Sequence, residues 1–174
     1  MVILGIHDGH DSSVALSKNG EIVYASQEER FTNLKGDYGF PKNAINDCLK
    51  STNTKLDDID QVALASKLTN PILMKIKRNA QFGVSDWIKE QELYWKPKFY
   101  KNKKVSYWNI FKNDKNFKKD NIYDYKNLLN AYMSKNDLNL FHKRRIEKIS
   151  KLLKIDRKKI ITYLHEDCHT HYAY

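Results

Sequence analysis

Cysteine is almost missing from this chain: Cys48 and Cys168 are the only two. Two thiols so far apart make no disulfide framework, and the chain is expected in a reducing, cytoplasmic setting. Long apolar runs are missing too, since none approaches the roughly 18 residues that a membrane-spanning helix needs. The opening Met1-Val2-Ile3-Leu4-Gly5 lacks the basic and apolar stretches of a secretory signal. Glycine and proline are sparse, six and three in 174 residues, which excludes a collagen-like chain. Acidic residues are outnumbered by basic ones, 21 to 31, for a net charge of +10. The composition is that of a soluble globular protein of ordinary domain size.

That charge is unevenly spread. Residues 1–66 carry six basic and ten acidic side chains, whereas residues 67–163 carry 25 basic and nine acidic. All three tryptophans (Trp87, Trp95, Trp108) and nine of the eleven tyrosines lie beyond residue 67. The histidines divide differently. His7 and His10 stand near the start, His165, His169 and His171 near the end, and only His142 falls between. A distribution so lopsided leads to the expectation that the two ends meet in the fold.

The local pattern predicts an α/β protein. Val2–Ile6 reads as a buried strand. Runs 12–17 and 21–26 flank Asn19-Gly20, a strong type I′ hairpin signal because both central residues of that turn need positive φ. The opening is therefore predicted to be a three-stranded meander. Pro41 introduces a helix whose Ala44, Ile45, Cys48 and Leu49 form one apolar stripe meant for the sheet. A fourth strand is expected over 61–65. Further helices are expected after Asn70-Pro71, over 122–133 and over 138–153, where Leu138, Phe141, Arg145, Ile149 and Leu152 mark one side. Residues 96–121 show no clear period and read as loop or broken helix. A strand at 161–164 and a helix beginning near Glu166 close the sequence. No stop signal follows that last helix. The chain is expected to be part of something larger.

Two clusters carry possible chemistry. His165 and His169 stand four apart, so on a helix they share a face and can ligate one divalent metal. The bland alternative is a solvated helix start, with Glu166 and Asp167 favouring the dipole. The run also fits H-E-x-x-H formally. Against a zinc protease, it follows a strand instead of lying in an apolar helix, and no third ligand follows it. Cys168, one residue off the ligand face, is expected to pack inward. The second cluster is His7-Asp8-Gly9-His10-Asp11-Ser12-Ser13. It is either a turn whose backbone N–H groups approach a phosphate, or a polar loop held by local side-chain bonds.

Read together, Ile3-Leu4-Gly5-Ile6, His10-Asp11-Ser12-Ser13-Val14-Ala15-Leu16, Asn19-Gly20-Glu21-Ile22 and Glu28-Glu29-Arg30-Phe31-Thr32 resemble, in order, the opening of the O-carbamoyltransferases. Phe40-Pro41, Cys48-Leu49 and residues 56–63 continue the likeness, and His165 to Tyr174 resembles that family's metal-binding element. The resemblance covers roughly residues 2–66 and 160–174. It implies the N-terminal portion of an actin-like ATPase domain (ribonuclease-H-like), with a basic helical insertion at about 67–155. The remainder of that domain and the C-terminal domain are expected beyond the sequence. It implies transfer of a carbamoyl group from carbamoyl phosphate, through an ATP-derived carbamoyl-adenylate, to a hydroxyl of a small molecule or sugar. By the same resemblance His10 is the catalytic histidine and Lys35 contacts carbamoyl phosphate. Asp11 and Ser12 are assigned to the nucleotide. His165 and His169 hold a divalent metal: iron, or manganese or zinc. Only the first histidine of the family's doubled pair is kept here, since Glu166 takes the second place.

Two other classes compete. A basic, aromatic-rich stretch can follow a phosphate backbone and stack bases, and a salt titration of binding to random DNA separates that reading. A non-catalytic metal-binding or assembly domain is the other.

Overall fold

The computed structural model describes residues 1–65, 83–111 and 138–172. The chain divides into two compact units, Met1–Pro71 with Ile122–Tyr174, and Ile72–Asn121.

The first unit is built on a five-stranded mixed sheet. β1 (Val2–His7), β2 (Ser13–Lys18) and β3 (Glu21–Gln27) form the expected meander, and β4 (Gln61–Leu64) and β5 (Ile160–Thr162) complete the order β3-β2-β1-β4-β5. Asn19 and Gly20 have φ of 53° and 92°, as the hairpin signal required. β1 runs antiparallel to β2 but parallel to β4, and β4 runs parallel to β5. The C-terminal ends of β1, β4 and β5 therefore emerge at one edge of the sheet. In α/β proteins ligands bind outside such ends, where the strand order changes direction.

The two faces of the sheet differ by the two-residue period of a strand. Leu4, Ile6, Val14, Leu16, Val62 and Leu64 are buried. Helix α1 (Glu29–Thr32) follows β3, and α2 (Lys42–Ser51) packs on β2 and β3. On α2 Ala44, Ile45 and Cys48 are buried, while Leu49 is only partly so because it stands at the margin of the stripe. Each fully buried Leu or Ile contributes about 1.5–3 kcal/mol by leaving water. The opposite face is lined by small residues. Registers place Ala25, Ala15, Gly5 and Ala63 in one row across four strands. A shallow concavity results.

Some expectations shift. The C-terminal strand is Ile160–Thr162, starting one residue before the expected 161–164 and ending two residues short of it, although Tyr163 N–H still donates to Leu64 O at 2.9 Å. The long helix Leu138–Leu153 forms, but its buried stripe is Phe141, Arg145, Ile149 and Leu153, spaced by four throughout. Leu152 is exposed. The predicted helices after Pro71 and over 122–133 lie outside the described residues.

In the second unit the described part of the stretch read as loop or broken helix, residues 96–111, is a broken helix: two short helices separated by residues 101–106. Helix α3 (Val84–Glu90), a π-helical turn (Gln91–Trp95) and α4 (Lys96–Tyr100) run on without interruption, and α5 (Tyr107–Phe111) follows. Pro97 had argued against a helix. The wider π turn directly before it accommodates a ring that would strike the preceding carbonyls of a regular α-helix. Tyr94 packs edge-on against Tyr107 at 5.0 Å, and Trp95 stacks on Phe99 at 5.2 Å. The helix Leu138–Leu153 is α6 below, and His165–Tyr172 is α7.

Candidate functional site

Three strand ends supply the site. β1 delivers His7 and the loop 8–12, β4 delivers Ala65, and β5 leads through Tyr163 and Leu164 into α7, which begins at His165. Parallel strands thus carry residues from both ends of the chain to one edge.

On α7 the two histidines four apart share a face. Their Nε2 atoms lie 2.9 Å apart, and both rings are exposed. With metal–nitrogen bonds of about 2.0–2.1 Å, ligand nitrogens at angles between about 90° and tetrahedral stand roughly 2.8–3.4 Å apart, so this pair, itself at hydrogen-bond distance, fits a single divalent ion. Among the described residues no group of three or more His, Cys, Asp or Glu is arranged to hold a metal. The His7 ring faces His165 with centroids 6.2 Å apart. His7 Nε2 is 2.8 Å from the His10 carbonyl. Burial is the main reason its pKa falls below the usual histidine value. A neutral imidazole is thereby favoured next to the histidine pair.

His10 sits at the exposed apex of the loop, its Nδ1 2.6 Å from Asp11 Oδ2. Asp11 itself adopts the left-handed conformation, with φ of 57°. Ser12 N–H donates to Asp37 O, and Ser12 O accepts from Glu28 N–H, both at 2.8 Å. That amide is therefore already engaged, so of the residues assigned to the nucleotide Asp11 is the more open. Gly36 lies directly opposite. It has φ of +64°, and a Cβ there would come within 3.3 Å of His10 Nε2. Lys35, beside it, is exposed and paired with Glu29 at 2.9 Å.

The Glu28-Glu29-Arg30-Phe31-Thr32 run has local work to do. Glu28 is buried and caps α2: its carboxylate accepts from the N–H of Asn43 at 3.1 Å, from Asn43 Nδ2 at 2.8 Å and from the N–H of Ala44 at 2.8 Å. Glu29 also accepts from Gly36 N–H at 2.8 Å, and these bonds hold its pKa below the usual carboxylate value. Thr32 Oγ1 donates to Asp37. Arg30 instead reaches an open cavity of about 480 Å3 on the small-residue face. Gly5, Ala15 and Ala63 floor this cavity, and His7, Ser13, Gln27, Tyr163 and Cys168 also border it. Cys168 was expected to pack inward and does not: it is exposed. At three residues from His165 it lies on the same side of α7 and turns to the cavity.

Two residues central to this edge have no site role in the sequence pattern: Asp8 appears there only as a member of the loop cluster, and Arg145 only in the stripe of its helix. Asp8 and Arg145 are each 1% exposed and form a two-pronged ion pair. Arg145 Nε donates to Asp8 Oδ2 at 2.7 Å, Nη2 donates to Asp8 Oδ1, and Nη2 donates again to Ala65 O at 3.0 Å. The available signal was an arginine in the middle of the apolar stripe of α6, since buried arginine is found almost only with a partner.

A mixed α/β sheet with a histidine pair at the ends of its parallel strands defines the class. Residues 2–174 match the family described as carbamoyltransferase N-terminus, and the chain belongs to that family. Over 58 residues, 33% of this chain, it is 47% identical to the uncharacterized protein sll1178 of Synechocystis sp.. It is 43% identical to the uncharacterized protein MJ1051 of Methanocaldococcus jannaschii over 63 residues, 36% of the chain. It is 33% identical to the nodulation protein NolNO of Sinorhizobium fredii over 54 residues, 31% of the chain. These matches span 9%, 12% and 8% of the respective relatives.

Proposed function

We propose that this chain is the N-terminal part of an O-carbamoyltransferase that uses carbamoyl phosphate and ATP to form a carbamoyl-adenylate and passes the carbamoyl group to a substrate hydroxyl. The observation that carries the reading is the meeting of the His7–His10 loop with His165 and His169. Family membership over residues 2–174 supports it.

In this reading His165 and His169 hold a divalent ion, iron or else manganese or zinc, which when bound neutralises phosphoryl oxygens. The further ligands come from the rest of the protein. His10 moves a proton at the carbamoyl group or orients it, and its exposed apex position leaves it free to reach a ligand. Lys35 leaves Glu29 to meet the phosphate of carbamoyl phosphate. Asp11 lines the nucleotide side of the loop, and the buried Ser12 holds that loop in place through its backbone bonds to Asp37 and Glu28. The second unit, Ile72–Asn121, stands as the centre of the basic insertion.

Full-length protein supplied with carbamoyl phosphate and ATP tests this. Carbamoyl-adenylate detected by mass spectrometry, and lost when metal is chelated, is the expected result. Its absence with intact, metal-loaded protein ends the reading.

A further inference from the structure

We propose that Arg145 is a positioning residue of this site: by tying Asp8 to the end of β4 it fixes the loop that carries His10. The proposal deepens the carbamoyl-transfer reading and rests on it for its kinetic arm alone.

The loop is held at both ends. At its far end Ser12 is bonded through its backbone to Asp37 and Glu28. At its near end there is Asp8, the first residue past β1, and its carboxylate is gripped by Arg145 from α6. The same guanidinium reaches the Ala65 carbonyl, while Ala65 N–H donates to Ile6 O at 2.9 Å. One arginine thus joins the ends of two adjacent parallel strands to the start of the loop. His10 lies between the two clamps.

Energetics favour a positional role over a stabilising one. Burying two charges strips them of their hydration at a cost that their mutual attraction only partly recovers, and well-packed apolar residues of similar volume are often equally stable. What apolar residues do not supply is a directional grip. The planar guanidinium fixes the carboxylate in two places and still donates to a third group. Lysine carries the charge without the fork. With the fork lost, Asp8 turns towards water and takes the adjoining Gly9 and His10 with it.

The test uses full-length protein, Arg145→Lys, and the paired neutral variant Asp8→Asn with Arg145→Gln. Amide hydrogen exchange over 8–12 is read beside exchange in β1 and β4, and kcat and KM for carbamoyl transfer are measured. In Arg145→Lys we expect loop exchange at least about tenfold faster with strand exchange unchanged. We also expect kcat lower by roughly 10–100-fold, the effect of a small misplacement, and KM for ATP within about twofold. Unchanged loop exchange in folded Arg145→Lys overturns the proposal, as does faster exchange with unchanged kcat. If Arg145→Lys does not fold, the paired variant decides by the same readouts, and failure of both to fold overturns the proposal in favour of a purely structural pair. A wild-type protein without carbamoyl transfer, but with the loop loosened in Arg145→Lys, removes the functional reading and leaves the positioning of the loop standing.

Discussion

The rings of His7 and His165 face one another at 6.2 Å between centroids, although they belong to opposite ends of the chain. The cause is topological. β1 and β5 both run parallel to β4, so residues that follow either strand emerge at the same edge. The histidines thus meet through strand direction and not through nearness in sequence.

The pair on α7 should govern metal uptake. In full-length protein His169→Ala is expected to bring metal content from about one ion per chain to near zero. The ring is exposed, so the cost in fold stability should stay within about 0.5 kcal/mol. Metal analysis and a denaturant titration of the same preparation check both halves. Full metal content in the variant would remove these residues as ligands.

His10 should matter for chemistry and not for folding. Groups that transfer protons contribute typically ~10²–10⁴-fold to rate. His10→Ala is expected to lose carbamoyl transfer by about that factor, with an unchanged circular dichroism spectrum. Gly36→Ala provides a steric companion: its φ is +64°, and the new methyl presses on His10 Nε2. It should slow transfer as well, and the chemical group of His10 remains present.

Much of the fold could be read because local signals and the sheet agree. Asn19-Gly20 specified its hairpin, and the spacing of Ala44, Ile45 and Cys48 specified the buried face of α2. A broken helix was among the readings for residues 96–121, but its unbroken continuation from Val84 to Tyr100 could not be read, because a π turn resets the period on which a helical reading depends. The gathering of His7, His165 and His169 was anticipated from their positions at the two ends. Asp8 and Arg145 were not, because a contact between residues far apart in sequence leaves no local period. Phe141, Arg145 and Ile149 nevertheless held the clue, since an arginine within such a stripe must find a partner.

The two thiols should react very differently. Cys48 is buried and its pKa is pushed up to about 11 by burial, whereas Cys168 is exposed. At pH 8 iodoacetamide should modify Cys168 within minutes and Cys48 only at the rate of unfolding. A raised thiol pKa means that the native state holds its proton more tightly than the unfolded chain. The corresponding stability is fully present below the unfolded value of 9.0 and is lost as pH rises towards about 11. Cys48→Ala should flatten the alkaline fall of the urea midpoint. Equal labelling of both thiols in the native protein would contradict the burial of Cys48.

Glu28 should prove to be a structural residue. Pro41, at the N-cap position of α2, makes no side-chain cap bond, and among the described residues Glu28 is the side chain that caps the helix. The Glu28 carboxylate accepts from two backbone N–H groups at the start of that helix and from the Asn43 amide. Loss of a capping acceptor costs about 0.5–2 kcal/mol, and a buried donor left unpaired costs about 1–3 kcal/mol. Glu28→Ala is therefore expected to destabilise the protein by roughly 2–3 kcal/mol. Glu28→Gln keeps one acceptor oxygen and should cost about half as much. Urea unfolding of both variants, with an unchanged denaturant slope, measures the loss directly. A loss in Glu28→Ala below about 0.5 kcal/mol would mean that water replaces the carboxylate, and the capping role would fall.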